Sequence, residues 1–220
     1  MKKFFIIANW KSNKTESEAK DWILKVSGLR DQDLSNKEII LCPSLVHLPV
    51  VKEFAEEQML PIKLGAQNIS SFKEGAYTGE VSAKQVKEFA NFVIIGHSER
   101  RNNFGENDEI LFKKFKLAKE NGLAFIFCVQ GKETKIPENV DIIAYEPINA
   151  IGTGNPDTPE NAENVAAYFK ANSKVPAVLY GGSVIASNVN SFSQMPSIDG
   201  VLVGKASLDP EEFYAIIQNV

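Results

Sequence analysis

Phe92-Val93-Ile94-Ile95-Gly96, then His97-Ser98-Glu99-Arg100-Arg101, then Asp108–Asn121, then Leu123-Ala124-Phe125-Ile126-Phe127-Cys128-Val129: the reading of this stretch decides the fold. Its two outer runs are near-continuously apolar and rich in Ile, Val and Phe. Strands of that kind are buried on both faces, as in a parallel sheet. Between them, Leu111, Phe112, Phe115 and Leu117-Ala118 recur three and four residues apart among charges. That spacing gives a helix one apolar face to lay on a sheet. Strand, helix and strand in this order make a βα unit.

The same alternation extends in both directions. Further apolar runs lie at Phe4–Ala8, Glu38–Cys42, Ile62–Ala66, Val140–Tyr145, Ala177–Gly181 and Gly200–Gly204. Helical patterns lie at Ser17–Leu29 (Ala19, Trp22, Ile23, Val26), Val46–Glu57 (Val46, Val50, Val51, Phe54) and Pro159–Lys170 (Ala162, Val165, Ala166, Phe169). Eight strands alternating with helices predict the α/β class and a (β/α)8 barrel, with residues 1–220 as one domain. One unit departs from the pattern. Gln130 to Asn139 carry no apolar face and leave little room for a crossover helix, which usually takes a dozen or more residues. The fifth helix is therefore predicted to be missing or reduced to a turn.

Bulk properties narrow the function. Hydrophobic residues make up 44% of the 220, and the formal net charge is -4. A mildly acidic chain with scattered lysines argues against a nucleic-acid or membrane surface. It leaves room for an anionic substrate in a locally positive pocket. No stretch approaches the ~20 apolar residues of a membrane span. The opening run Phe4–Ala8 stops at Asn9-Trp10-Lys11, too short for the h-region of a signal peptide, so a cytoplasmic chain is expected. Cys42 and Cys128 each follow an apolar run and read as buried thiols rather than a disulfide framework. With His97 they show no metal-ligand spacing, so no metal site is expected.

Barrels of this kind place their sites at the carboxyl ends of the strands. The residues that follow the strands are Asn9-Trp10-Lys11, Gln67-Asn68, His97-Ser98-Glu99-Arg100-Arg101, Glu146-Pro147, Gly181-Gly182-Ser183 and Gly204-Lys205. One carboxylate, one imidazole, one ammonium and two glycine-rich turns thus converge on one rim. The glycine turns after the seventh and eighth strands suit a phosphate, because backbone N–H groups there can point at an anion. Ile151-Gly152-Thr153-Gly154-Asn155-Pro156 reads as a lid, followed by a helix with Thr158 as N-cap and Pro159 at its first position. Ser98-Glu99-Arg100 reads as a helix start, whose dipole would disfavour a charged His97. His47 reads as a surface residue at another helix start.

Asn9-Trp10-Lys11, Gly75–Ser82, Gly96–Arg101, Ala144–Pro147, Ala150–Gly154 and Tyr180–Val184 together resemble the triosephosphate isomerase family, in its order and from first strand to last. The resemblance implies a TIM barrel without cofactor. It implies interconversion of dihydroxyacetone phosphate and D-glyceraldehyde 3-phosphate, as in glycolysis and gluconeogenesis. Glu146 would be the base. A neutral His97 would polarise the carbonyl, Lys11 would stabilise the enediolate, and Asn9 would bind substrate oxygens. Glu99 would order Lys11, while N–H groups of Gly152, Ser183, Gly204 and Lys205 would hold the phosphate. The lid would run through Pro147, Asn149, Ile151, Thr153 and Gly154. A homodimer is implied, with Phe72, Tyr77 and Thr78 on a loop that reaches the partner.

Three departures from the family pattern stand out. Asn149 replaces a tryptophan at the lid's first hinge. Gln130-Gly131 replaces Gly-Glu. Lys205 replaces a second glycine, so a positive φ there would be strained. An isomerase of a larger sugar phosphate, or a silent barrel kept as a scaffold, are the competing readings.

Overall fold

Parallel pairing closes eight strands into a barrel in sequence order, β1 meeting β8. The computed structural model describes residues 3–150 and 154–220. The strands are β1 (Phe4–Asn9), β2 (Lys37–Cys42), β3 (Ile62–Ala66), β4 (Phe92–Ile95), β5 (Ala124–Val129), β6 (Ile142–Tyr145), β7 (Ala177–Tyr180) and β8 (Gly200–Val203). Their continuous apolar character has a direct cause. Ile7, Ile40, Ile94, Ile126 and Leu179 fill the barrel's inside. Their sequence neighbours Ile6, Ile39, Val93, Phe125 and Val178 belong to the layer outside it. These five strands, β1, β2, β4, β5 and β7, are therefore apolar on both faces. Cys42 and Cys128 are buried and free, and each thiol's pKa is pushed up by burial.

The outer layer is made of α1 (Glu16–Lys25), α2 (Leu48–Glu57), α3 (Ala83–Lys87), α4 (Ser98–Phe104), α5 (Asp108–Glu120), α6 (Pro159–Ser173), α7 (Val189–Ser193) and α8 (Pro210–Gln218). Local sequence sets their ends. Thr15 and Glu18 form a reciprocal capping box on α1, and Thr158 accepts from Asn161 N–H ahead of Pro159 on α6. The buried face of α6 is Ala162, Val165, Ala166 and Phe169, as the spacing predicts. Between β5 and β6 there are turns and no helix, so the crossover expected to be short is short.

Some details differ. Val46 lies in a 3-10 turn before α2 and is 79% exposed, because α2 itself buries Leu48, Val51 and Ala55. Phe112 turns partly to solvent, and α5 buries Lys114 on its inner face instead. His47 is half-buried rather than superficial. No described helix is long and apolar enough to cross a membrane.

Candidate active site

The first strand delivers Lys11 in a left-handed conformation, φ 54°. A side chain with a Cβ resists that region, at a cost of order 1–3 kcal/mol, so the surroundings must hold it. They do so from several sides. Trp10 is fully buried edge-on against Trp22 at 5.1 Å, and the Trp22 indole N–H donates to Ser207 O at 3.0 Å. Lys11 N–H donates to Asn9 Oδ1 at 3.1 Å, while Lys11 O accepts from Gln67 Nε2 at 2.9 Å and Ser44 Oγ at 3.1 Å. The buried Asn9 and the ammonium of Lys11 thus arrive at the carboxyl end of β1 with little freedom.

Lys11 Nζ pairs with Glu99 in the first turn of α4. Glu99 N–H donates to His97 Nδ1 at 3.2 Å. That bond fixes the neutral ring as the tautomer carrying hydrogen on Nε2. His97 Nε2 then lies 3.0 Å from Glu146 Oε1, and the other carboxylate oxygen of Glu146 accepts from Ser98 N–H at 2.8 Å. Glu146 is 1% exposed. A carboxylate so deep is tolerable because both oxygens have donors. Ser98 N–H was not singled out from sequence, since any residue type could supply it.

Burial alone would pull the His97 pKa down. The Glu146 charge and hydrogen bond, with Glu99 behind, more than offset this and leave it raised. The helix start was expected to work the other way; the carboxylates of Glu146 and Glu99 outweigh it. A His pKa raised by folding adds stability that is fully present below its unfolded value, about 6.5. That stability is lost as pH rises through the folded value. NMR titration of His97 should give a pKa above 6.5 that falls in Glu146→Gln; a value unmoved by the substitution would contradict the pairing.

Gly96, φ 76°, ends β4 where a Cβ would press on Arg101 Nη2 at 3.0 Å. Arg101 is a support the sequence did not assign. It donates to Gly96 O at 2.8 Å and Cys128 O at 3.1 Å, binding the ends of β4 and β5 beneath His97.

The glycine turns stand on the same rim. A methyl group on Gly181 would meet Glu146 Cγ at 3.3 Å, and one on Gly204 would lie 3.7 Å from Lys11 Nζ. Ser183 has φ 51° and its hydroxyl donates to Ala150 O at 2.5 Å. Lys205 is not among the residues of positive φ; it opens a 3-10 turn, Lys205–Leu208. The strain expected from replacing a glycine there is therefore absent. Pro147 and Asn149 line a cleft with Tyr145 and Ala150, and Gly154 has φ 79° with open space around it, whereas Ile151, Gly152 and Thr153 fall outside the described residues. Among the described residues no group of three or more His, Cys, Asp and Glu is placed to hold a metal ion.

Residues 4–220 match the family model described as triosephosphate isomerase. The chain is 37% identical to the triosephosphate isomerase of Hahella chejuensis over 99% of this chain and 98% of that one. It is 40% identical to that of Mesomycoplasma hyopneumoniae strain 7448 over the full length of both, and 39% identical to that of Aquifex aeolicus over 96% and 97%. The Hahella alignment spans 248 positions against 220 residues here, leaving at least 28 (248 − 220) that only the relative fills. A barrel with one crossover stripped of its helix fits a shorter member. On this match along its whole length, the chain belongs to the triosephosphate isomerase family.

Proposed function

We propose that Glu146 moves the proton by which this isomerase interconverts dihydroxyacetone phosphate and D-glyceraldehyde 3-phosphate, with residues 1–220 acting as one domain in the cytoplasm. The observation that carries the reading is the placement of Glu146 between His97 Nε2, at 3.0 Å, and Ser98 N–H, at 2.8 Å. The carboxylate removes a proton from the carbon beside the carbonyl. The C–H electrons form the enediolate double bond, and charge moves to the carbonyl oxygen. His97 Nε2 gives its proton to that oxygen and then takes the hydroxyl proton from the neighbouring oxygen. The C–O bond of that second oxygen becomes the new carbonyl as the same carboxylate returns its proton to the neighbouring carbon, so no cofactor enters the balance. A base so placed contributes roughly 10²–10⁴-fold.

The other groups serve the developing charge. His97 donates from Nε2 to the substrate oxygens, which take the place Glu146 Oε1 holds at 3.0 Å. Once that oxygen intervenes, the carboxylate's hold on the imidazole weakens and the neutral ring is favoured. Lys11 and Asn9 stabilise the oxyanion, where one well-aimed donor is worth about 2.7–4 kcal/mol. Glu99 orients Lys11. Backbone N–H groups of Gly152, Ser183, Gly204 and Lys205 bind the phosphate. Pro147, Asn149, Ile151, Thr153 and Gly154 close over it. A coupled assay with glyceraldehyde 3-phosphate tests the reaction. Turnover of that triose supports it; turnover only of a larger sugar phosphate, or of none, overturns it.

A homodimer completes this proposal. Phe72 and Tyr77 stack at 4.2 Å and 14° while 45% and 43% exposed, and Val46 and Phe104 are 79% and 67% exposed. Large apolar surface held in order by itself implies something that covers it. On this reading Thr78 of one subunit approaches Asn9 and His97 of the other. Light scattering should give twice the 24.3 kDa chain mass, and Tyr77→Asp should shift it towards one. A wild-type protein monomeric at micromolar concentration would count against the dimer.

A further inference from the structure

Asp157 sits just before α6, outside the groups assigned above, yet it is hydrogen-bonded to both strands that flank the rim's carboxylate and glycine turn. Its Oδ2 accepts from the Tyr145 hydroxyl at 3.1 Å and from Asn161 Nδ2 at 2.6 Å. Its Oδ1 accepts from Thr158 N–H at 2.8 Å, and its own N–H donates to the Tyr180 hydroxyl at 2.7 Å. Tyr145 is the last residue of β6, next to Glu146, and Tyr180 is the last of β7, next to Gly181-Gly182-Ser183. The two rings stand 6.4 Å apart, and Tyr180 is stacked on Phe192 at 3.9 Å.

The contacts on the far side of the tyrosines are tight. A Cβ on Gly182 would meet the Tyr180 hydroxyl at 2.5 Å and Ala150 Cβ at 3.0 Å. Gly182 is therefore packed on the phenol that holds Asp157. Main-chain bonds join the same strands: Gly181 N–H donates to Tyr145 O and Glu146 N–H to Val129 O, both at 2.8 Å. Burial and the Asp157 charge push the Tyr145 phenol up to about 12, so it remains a donor at any working pH. A hydrogen bond to an ionised acceptor is roughly twice as strong as a neutral one.

We infer that Asp157 is a positioning residue for the isomerisation. Through the Tyr145 hydroxyl it fixes the end of β6, and with it the reach of Glu146. This rests on the assignment of Glu146 as the base. Misplacing a reacting group by a fraction of an ångström costs rate rather than affinity, on the order of tenfold or more. Loss of a merely structural contact would instead lower thermal stability and leave kcat per folded molecule alone.

Steady-state kinetics on the full-length wild type, Asp157→Ala, Asp157→Asn and Tyr145→Phe, with melting temperatures for each, make the test. Asp157→Ala and Tyr145→Phe should each lose threefold or more in kcat, with KM within twofold. Asp157→Asn keeps one acceptor oxygen for Tyr145 and should recover part of the loss. If Asp157→Ala does not fold, Tyr145→Phe, which lacks one hydroxyl only, decides. A smaller loss in kcat, or a loss confined to KM or melting temperature, overturns the inference. A wild type inactive on glyceraldehyde 3-phosphate would instead overturn the parent assignment.

Discussion

Glu146→Gln should lower kcat by roughly 10²–10⁴-fold, the full range credited to a positioned general base, while KM changes only a few-fold. The amide keeps the shape and can still accept from Ser98 N–H, but it cannot take a proton from carbon. Glu146→Asp keeps the charge and withdraws it by one methylene. A misplacement near 1 Å can cost on the order of 100-fold, so this variant should lie between wild type and Glu146→Gln. Substrate binding depends mainly on the glycine turns and Lys11, which explains why KM should move little. Steady-state kinetics on both variants check this, and a Glu146→Ala protein with unchanged isomerase activity would refute the role.

The largest expected loss of stability lies elsewhere, at Glu106. Lys114, 4% exposed on the inner face of α5, pairs with Glu106, itself 6% exposed. Arg100 donates to Glu106 Oε1 at 2.6 Å, and Lys114 also donates to Asn68 Oδ1 at 2.6 Å. This cluster joins the loop after β3 to α4 and α5. Burial lowers the Lys114 pKa, and Glu106 only partly offsets that. Glu106→Leu would leave a buried ammonium with one amide for company.

Removing one partner of a buried pair typically costs about 3–5 kcal/mol. For a chain of this size that corresponds to a melting temperature lower by roughly 6–20 °C. Deprotonation of Lys114 limits the cost, so the loss should be smaller at high pH. Thermal or denaturant unfolding measures it, and a variant melting within about 2 °C of wild type would show the cluster to be dispensable.

The barrel was legible because parallel strands buried on both faces leave continuous apolar runs, as at Phe92–Ile95 and Ala124–Val129. The missing crossover helix was legible for the same reason, since Gln130–Asn139 has nothing apolar to lay on the sheet. Short elements were harder. Five-residue α3 and α7 complete too few turns to show a periodicity. In α8 the Asp209 cap, Pro210 and the buried Phe213, Ile216 and Ile217 mark a helix, but over nine residues they repeat the apolar spacing only once.

Asn9, Lys11, His97, Glu99 and Glu146 could be gathered on one rim because each follows a strand. The contacts that hold them could not. Ser98 offers a main-chain N–H, invisible in residue type, and Arg101 reaches Cys128 O across 27 positions. Asp157 meets Tyr180 across 23 positions, and no spacing rule connects them. Nothing in the residue type of Lys114 marks it for burial, and only the fold brings Glu106 to it.

The most direct test of proton transfer by Glu146 is NMR of the triose products formed in deuterated water. A carboxylate that carries the proton and trades it with solvent in part of the turnovers predicts some deuterium at the carbon that receives it, and loss of that labelling together with turnover in Glu146→Gln. A folded Glu146→Gln protein that turns over and labels its products as the wild type does would contradict the account.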